Sequence, residues 1–155
     1  VSDDIVLDLI KNELSDIADD GFLLDGYPRN ISQAESLRDL LETINKPLDY
    51  TILINVPSEI LVKRLSGRRT CSLTGKTLNI YFSTQSELDE CLSSGGELLQ
   101  REDDNEDSII KRIEVYEEQT EPMIDFYRSA ELLLTIDGQG PVDEVYLKLK
   151  KLMKL

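Results

Sequence analysis

Residues 21–29, Gly-Phe-Leu-Leu-Asp-Gly-Tyr-Pro-Arg, combine a short apolar run with a turn and a single arginine. The apolar residues 22–24 predict a short buried strand. Gly26 and Pro28 then turn the chain out of the sheet, because glycine adopts backbone angles that other residues avoid and proline fixes its own φ. Arg29 is therefore expected at the carboxyl end of a strand, where open α/β sheets bind ligands and a guanidinium can bind phosphate oxygens in pairs. An ordinary strand-to-helix turn with a solvated arginine is the alternative.

Several further arginine-bearing motifs follow in the chain. Residues 25–33 resemble the Asp-Gly-Phe/Tyr-Pro-Arg signature of the adenylate kinase family and its continuation, Asn-Ile-Ser-Gln. Residues 64–69 (Arg-Leu-Ser-Gly-Arg-Arg) and 100–104 (Gln-Arg-Glu-Asp-Asp) match the family in order and spacing, as do Arg112, Tyr116 and the Gln-Thr-Glu-Pro of 119–122. The resemblance extends from the first residue to about Met153.

The resemblance implies the reversible phosphoryl transfer ATP + AMP = 2 ADP, with Mg²⁺ bound to ATP. Such a transfer brings several phosphates together, so catalysis depends mainly on alignment and electrostatic stabilisation. Arginines suit this task because they stay charged and bind oxygens in pairs. By family position, the catalytic residues are Arg29, Arg64, Arg68, Arg101 and Arg112.

Family position also implies the nucleotide contacts. The AMP-binding residues are Val1, Val6, Gly26, Tyr27, Pro28, Arg29, Gln33, Arg101 and Arg112, and Gln33 reads the adenine edge. The ATP-binding residues are Arg64, Arg68, Thr77, Leu78, Gly138 and Gly140. Asp25 matches a carboxylate that orients Mg²⁺ through water, and Asp103 and Asp104 match an acidic pair near the closing site. For each aspartate, capping a helix or pairing with an arginine is the alternative.

The phosphate-binding loop of the family is not found in the printed sequence, which contains no Gly-x-x-x-x-Gly-Lys. The backbone N–H groups and the lysine of that loop cradle nucleotide phosphates. We therefore expect a carboxyl-terminal portion of an adenylate kinase that is inactive alone. Another nucleoside monophosphate kinase, acting on UMP or CMP, is one alternative. A non-catalytic nucleotide-binding remnant is another, from a different functional class.

Residues 69–101 are expected to form a lid, which closes over the nucleotide and excludes water. Many long-lid members of the family hold zinc with two pairs of ligands at this place, and the matching positions here are Cys71, Thr74, Cys91 and Ser94. Neutral hydroxyls are poor zinc ligands. We expect a lid without zinc, held by hydrogen bonds and packing. Weak metal binding with nearby carboxylates and a disulfide between the two cysteines are the alternatives.

Composition narrows the class of partner. The net charge of -14 comes from 31 acidic and 17 basic side chains and argues against nucleic acid and anionic membranes as partners. No 18-residue apolar run or signal peptide is visible, so we expect a soluble cytoplasmic protein, and a monomer by analogy with the family. The expected small-molecule partners are ATP, AMP and ADP.

Helix and strand signals alternate along the chain, which predicts an α/β fold with a P-loop NTPase-like parallel sheet and flanking helices. We expect three of the family's five strands, at 22–24, 50–56 and 132–137, and one long helix over 107–129. In the last helix, Val142, Val145, Leu149 and Leu152 should face inward. The expected domains are the end of the AMP-binding domain (1–16), core (17–68), lid (69–101) and core (102–155). Unpaired strand edges should prevent these residues from folding alone.

Overall fold

The computed structural model describes residues 2–17 and 21–154. Seven α-helices lie in this part of the chain: α1 (Asp3–Asp16), α2 (Ile31–Thr43), α3 (Ser58–Ser66), α4 (Gln85–Ser93), α5 (Glu106–Val115), α6 (Met123–Ser129) and α7 (Val142–Met153). The strands are β1 (Thr51–Asn55), β2 (Arg68–Cys71), β3 (Thr77–Asn79), β4 (Leu98–Leu99) and β5 (Leu133–Asp137). None of the described helices is both long and apolar enough to cross a membrane.

The chain divides into two compact units. The first unit contains the chain up to Ile54, residues Val115–Ile136 and the chain from Val142 onward, and the second contains Asn55–Glu114 and Asp137–Pro141. In the first unit, Leu14 of α1 packs with Leu37 and Leu41 of α2, and all three are buried. A second cluster joins Ala34 of α2 to Met123 and Tyr127 of α6.

Strands β1 and β5 form a two-stranded sheet. At the start of the pair, the Thr51 N–H donates to the Leu132 carbonyl over 2.8 Å, and at its end the Gly138 N–H donates to the Asn55 carbonyl over 2.8 Å. Since the residue numbers rise together along both strands, the pairing is parallel. The predicted α/β class, with a parallel sheet and flanking helices, is confirmed.

The strand predicted at 22–24 is wrong, because these residues form no ladder in the described structure. Phe22 and Leu24 pack against the α1–α2 cluster, whereas Leu23 is 81% exposed. The apolar run that predicted a strand does partly bury two of its three side chains, but a strand also needs a neighbour with which to exchange backbone hydrogen bonds. The parallel sheet therefore has two strands here rather than three.

Two expectations for helices are also wrong. The helix predicted over 107–129 is divided: α5 ends at Val115, a π-helical turn spans Tyr116–Thr120, and α6 begins after Pro122. Pro122 has no N–H to continue the helical hydrogen bonds, which explains the break. In α7, Val142 is 84% exposed rather than inward-facing, because it occupies the first position of the helix, before the apolar stripe reaches its neighbours.

In the second unit, residues 68–99 form a three-stranded antiparallel sheet in the order β3-β2-β4. Arg68 of β2 pairs with Asn79 of β3, and Cys71 pairs with Leu98 of β4. Helix α4 begins at a capping box, in which the Thr84 side chain accepts from the Glu87 N–H and the Glu87 carboxylate accepts from the Thr84 N–H.

A disulfide joins Cys71 of β2 to Cys91 of α4. Both cysteines are buried, together with Leu78 and Leu88, in a small core of their own. We expected hydrogen bonds and packing alone to hold this segment, and that preferred interpretation is corrected, because the cysteines are bonded to each other. The other two positions of the zinc frame make local contacts: Thr74 Oγ1 accepts from the Lys76 N–H, and Ser94 Oγ donates to the Glu90 carbonyl.

Candidate functional site

The turn at residues 25–29 is closed by its own arginine. Gly26 has a φ of +76°, a conformation that glycine adopts without the steric cost of a Cβ. The Arg29 Nε donates to the Gly26 carbonyl over 2.7 Å, and the Thr120 hydroxyl donates to the Arg29 carbonyl over 2.8 Å. Arg29 itself is exposed, so its guanidinium is held at the turn with donors left for an anion.

Gln33 lies in the first turn of α2 and bridges two elements. Its backbone N–H donates to the Asn30 side chain over 2.9 Å, which caps the helix. Its side-chain oxygen accepts from the Arg29 N–H over 2.7 Å, and its Nε2 donates to Asp3 Oδ1 over 2.8 Å. The side chain predicted to read adenine is therefore held at both ends.

Tyr27 places its hydroxyl in the interior of the first unit. The oxygen is buried and has no hydrogen-bond partner among the described residues. Burial raises the pKa of the Tyr27 hydroxyl, and the negative charge of Asp3 raises it further. The phenol therefore stays protonated and neutral near neutral pH.

The remaining predicted residues of the first unit lie on α1 or at the turn. Val6 is half-buried on α1, Pro28 is half-buried, and Asp25 is exposed. An exposed carboxylate suits the water-mediated binding of Mg²⁺, which keeps several waters and is usually held by one or two carboxylates and substrate phosphates. Val1, another predicted AMP contact, lies outside the described residues.

In the second unit, Arg68 and Asp104 form the best-connected ion pair. The Arg68 Nε donates to Asp104 Oδ2 over 2.7 Å, and its second nitrogen donates to Oδ1 over 2.5 Å. The Asp104 side chain is fully buried. Arg112 lies 3.7 Å from an Asp103 oxygen and 3.9 Å from an Asp104 oxygen. We call Arg68, Arg112, Asp103 and Asp104 the arginine–carboxylate cluster.

The charges of this cluster stabilise one another. The hydrogen bonds from Arg68 hold the pKa of Asp104 below its usual range, and the charges of Arg68, Arg101 and Arg112 act in the same direction against the effect of burial. The same pairing raises the pKa of Arg68. Asp104 therefore remains a carboxylate, and it orients the Arg68 guanidinium in a bidentate geometry.

Arg64 is positioned separately, by the loop that follows β5. Its guanidinium donates to the Gly138 carbonyl over 3.0 Å, while its own carbonyl accepts from the Asn79 side chain over 2.9 Å. Gly138 is buried, and Gly140 is exposed with a φ of +103°. Arg64 and Gly138 thus belong to one local arrangement.

The two predicted ATP contacts on β3 differ in accessibility. Thr77 is exposed, whereas Leu78 is only 3% exposed and packs beside the disulfide. The Leu78 side chain is thus committed to the local core, so any nucleotide contact at this position must come from its backbone.

The structure therefore brings together some of the predicted residues. Arg68, Arg112, Asp103 and Asp104 meet in the cluster, and the charge of Arg101 acts on Asp104. Arg64 meets Gly138, and Arg29 meets Gly26 and Gln33 in the first unit. Within 2–17 and 21–154, no group of three or more histidine, cysteine or acidic side chains could hold a metal ion. The cysteine frame does not suit zinc, because both sulfurs are bonded to each other.

A large cavity in the first unit lies away from these residues. A groove of about 760 Å³ runs between α2 and α6 and is lined mainly by apolar side chains such as Leu37, Leu41 and Phe126. None of the predicted nucleotide-binding residues lines it. The groove also carries Arg38, Glu42 and Asp125, but it contains none of the family-matched arginines, so the candidate site is defined by the arginine arrangements rather than by this groove.

Comparison with known proteins agrees with the motif pattern. A family model described as "Adenylate kinase" matches residues 1–132. The chain belongs to the adenylate kinase family. Curated adenylate kinases similar to it include that of Thermodesulfovibrio yellowstonii, 46% identical over 94% of this chain and 68% of the relative. The adenylate kinase of Bacillus subtilis is 42% identical over 99% of the chain and 71% of the relative. The adenylate kinase of Methanocella arvoryzae is 46% identical over 97% of the chain and 70% of the relative.

Sequence reasoning missed three residues that position members of this candidate site. Asp3 accepts a hydrogen bond from the Gln33 side chain. Thr120 holds the Arg29 carbonyl from 91 positions away, and Asn79 holds that of Arg64. Spacing along the chain carried no signal for these contacts, because each depends on how separate elements pack. Only the family match around residue 120 drew attention to that segment.

Proposed function

We propose that the protein is an adenylate kinase that catalyses ATP + AMP = 2 ADP. The observation that carries the proposal is the arginine–carboxylate cluster, in a chain that belongs to this family. A fully buried carboxylate that orients one arginine and attracts two others holds positively charged groups in fixed positions. Such fixed groups stabilise the charge on a phosphoryl group in transfer without reorganising at the moment of reaction.

The proposed roles follow the family match. Arg29 binds the AMP phosphate, with main-chain groups of Gly26, Tyr27 and Pro28 beside it, and Gln33 reads the adenine. Val1 and Val6 complete the AMP pocket. Support comes from the exposed, turn-anchored guanidinium of Arg29.

The second unit supplies the proposed contacts to ATP and to the transferring group. Arg64 and Arg68 bind ATP phosphates, and Arg101 and Arg112 clamp the transferring group and the AMP phosphate. The remaining proposed ATP contacts are Thr77, Leu78, Gly138 and Gly140. Asp103 and Asp104 hold the arginines in place, which the cluster geometry supports. Asp25 would hold Mg²⁺ through water, and Mg²⁺ would neutralise charge on the phosphates of ATP.

We further propose the domain division expected from the sequence: 1–16 as the end of the AMP-binding domain, 17–68 and 102–155 as core, and 69–101 as lid. The separate sheet and core of residues 68–99 support the lid assignment. We also propose a monomer in the cytoplasm, since ATP, AMP and ADP are nucleotides of the cell interior. Neither nucleic acid nor a membrane surface suits a chain with a net charge of -14.

A second candidate rests on a specific observation: the printed sequence contains no Gly-x-x-x-x-Gly-Lys. We propose that a polypeptide of these 155 residues alone transfers no phosphoryl group, because it lacks the loop that cradles the phosphates. If the full gene product also lacks that loop, a nucleotide-binding remnant becomes the better description. A panel of AMP, UMP and CMP separates an adenylate kinase from other monophosphate kinases.

Replacing Arg101 tests the proposal directly in the full gene product. We expect Arg101→Ala to lower kcat about 10³-fold, as loss of a transition-state arginine does in phosphoryl transfer. Arg101 is exposed, so the free energy of unfolding should change little. ADP formation from ATP and AMP is the measurement.

Arg128→Ala is the matched control, because Arg128 is an exposed arginine paired with Asp125 outside the predicted site. Its turnover should equal that of the unmodified protein. Near-normal turnover of Arg101→Ala would contradict the proposed role.

A further inference from the structure

The amide of Gln33 is fixed by partners of opposite type. Its oxygen accepts from the Arg29 N–H over 2.7 Å, and its nitrogen donates to the Asp3 carboxylate over 2.8 Å. A backbone N–H can only donate, and an ionised carboxylate can only accept. A rotation of the amide by half a turn would therefore place like groups face to face at both ends.

Orientation matters because the amide direction distinguishes purines. After these two bonds, the Gln33 amide still has one N–H and one oxygen lone pair for a ligand. On its Watson–Crick edge, adenine offers a donor at the 6-amino group and an acceptor at N1. Hypoxanthine and guanine offer the reverse, an acceptor at O6 and a donor at N1. The same amide suits one pattern or the other, depending on which way it points.

We propose that Asp3 is a positioning residue that holds the Gln33 amide in the orientation that selects adenine over 6-oxopurines. The inference rests on the proposed function, in which Gln33 reads the base of AMP. Asp3 does not touch the nucleotide in this scheme. It lies 30 positions from Gln33, at the start of α1, and acts through the glutamine.

Asp3 also places a negative charge at the start of α1, a role that any acidic residue in this turn would fill. Negative charge in the first turn of a helix is favourable, and α1 carries both Asp3 and Asp4 there. Asp4 shares the helix position and the charge but makes no bond to Gln33, and its side chain is exposed. Asp4→Ala therefore removes the general effect without removing the amide contact.

The experiment compares AMP with IMP, which differs from it at positions 6 and 1 of the base. In the full gene product, Asp3→Ala should lower the ratio of kcat/KM for AMP to that for IMP about fivefold, the value of one hydrogen bond. The fall in kcat/KM should appear as a higher KM for AMP. The kcat and the KM for ATP should stay within about twofold of those of the unmodified protein, since the reacting groups are untouched.

Two variants separate the bond from the charge. Asp3→Asn keeps an oxygen that can accept from Gln33, so it should retain the AMP preference within about twofold. Asp4→Ala should retain it fully. An unchanged AMP-to-IMP ratio in Asp3→Ala overturns the inference, and so does an equal fall in Asp4→Ala. If Asp3→Ala fails to fold, Asp3→Ser takes its place with the same expected loss.

Calorimetric binding of AMP and IMP distinguishes failure of this inference from failure of the proposed function. An unmodified protein that prefers AMP in binding but forms no ADP contradicts the kinase proposal alone, and the Asp3 variants are then compared by Kd. An unmodified protein that binds both nucleotides equally overturns the inference, whatever its turnover.

Discussion

The hydroxyl oxygen of Tyr27 should have a measurable effect on the free energy of unfolding. A buried hydroxyl without a partner costs free energy, since it has given up its hydrogen bonds to water. Tyr27→Phe should therefore raise the free energy of unfolding by about 1 kcal/mol, as measured by denaturant unfolding. Tyr50→Phe is the control, because Tyr50 is 50% exposed. A loss of stability in Tyr27→Phe would mean that the hydroxyl has a partner in solution.

Asp104 is the residue whose charge the second unit depends on most. Asp104→Asn should lower the free energy of unfolding by about 3 kcal/mol at neutral pH, because it leaves a half-buried arginine without its counter-charge. Asp103→Asn, at a side chain that is 62% exposed, should cost less than about 1 kcal/mol. Equal losses in the two variants would contradict the cluster as described.

The pH dependence of this difference has a definite sign. The folded pKa of Asp104 lies below its unfolded value, so the stabilisation is complete above the usual carboxyl pKa of 3.8. It is lost as the pH falls from there through the folded pKa. The gap in unfolding free energy between the unmodified protein and Asp104→Asn should therefore be constant near neutrality and should narrow only below about pH 4. If the difference in unfolding free energy narrowed with rising pH, the pKa of Asp104 would not be lowered by folding.

Among the secondary-structure elements, the disulfide between β2 and α4 makes the clearest prediction. It closes a loop of 20 positions, and the chain-entropy argument gives about 3 kcal/mol for a loop of this size. Reduction should lower the unfolding free energy of residues 68–99 by about that amount, as measured by hydrogen exchange. A Cys71→Ser, Cys91→Ser double variant should be equally weakened and should not respond to reductant. A response in that variant would show that the reductant acts elsewhere.

Residue types predicted helices and strands well, but they did not predict contacts between distant segments. The β1 and β5 strands, predicted at 50–56 and 132–137, follow from residue types alone. Residues 22–24 have strand-like side chains, but their backbone has no ladder partner. The bonds that Asp3 and Thr120 make, like the disulfide, depend on distant segments meeting, which no local pattern encodes.

For the molecule as a whole, exposed apolar surface limits stability. The large apolar side chains that are more than half exposed include Leu23, Ile54, Val142 and Leu147. The parallel sheet has two strands, so each has an edge unpaired within the described residues. A polypeptide of residues 1–155 alone should bind a hydrophobic dye and unfold without a sharp transition.

The control for this prediction is a chimera in which the same residues are joined to the part of the Bacillus subtilis relative that lies outside the matched 71% of its length. It should melt cooperatively and lose dye binding if the added segment supplies a strand that pairs with the open edges. A sharp transition in the 155-residue polypeptide alone would contradict the prediction.

Both end residues of strand β2 are bonded to other parts of the second unit. Arg68 makes a bidentate hydrogen bond to Asp104, and Cys71 forms the disulfide with Cys91. Only two residues lie between Arg68 and Cys71, so the strand has almost no freedom to flex by itself. Any hinge motion in the second unit should therefore have its pivots outside β2. Slow-timescale relaxation measurements should then find Arg69 and Thr70 moving in concert with their neighbours, as parts of one stiff body.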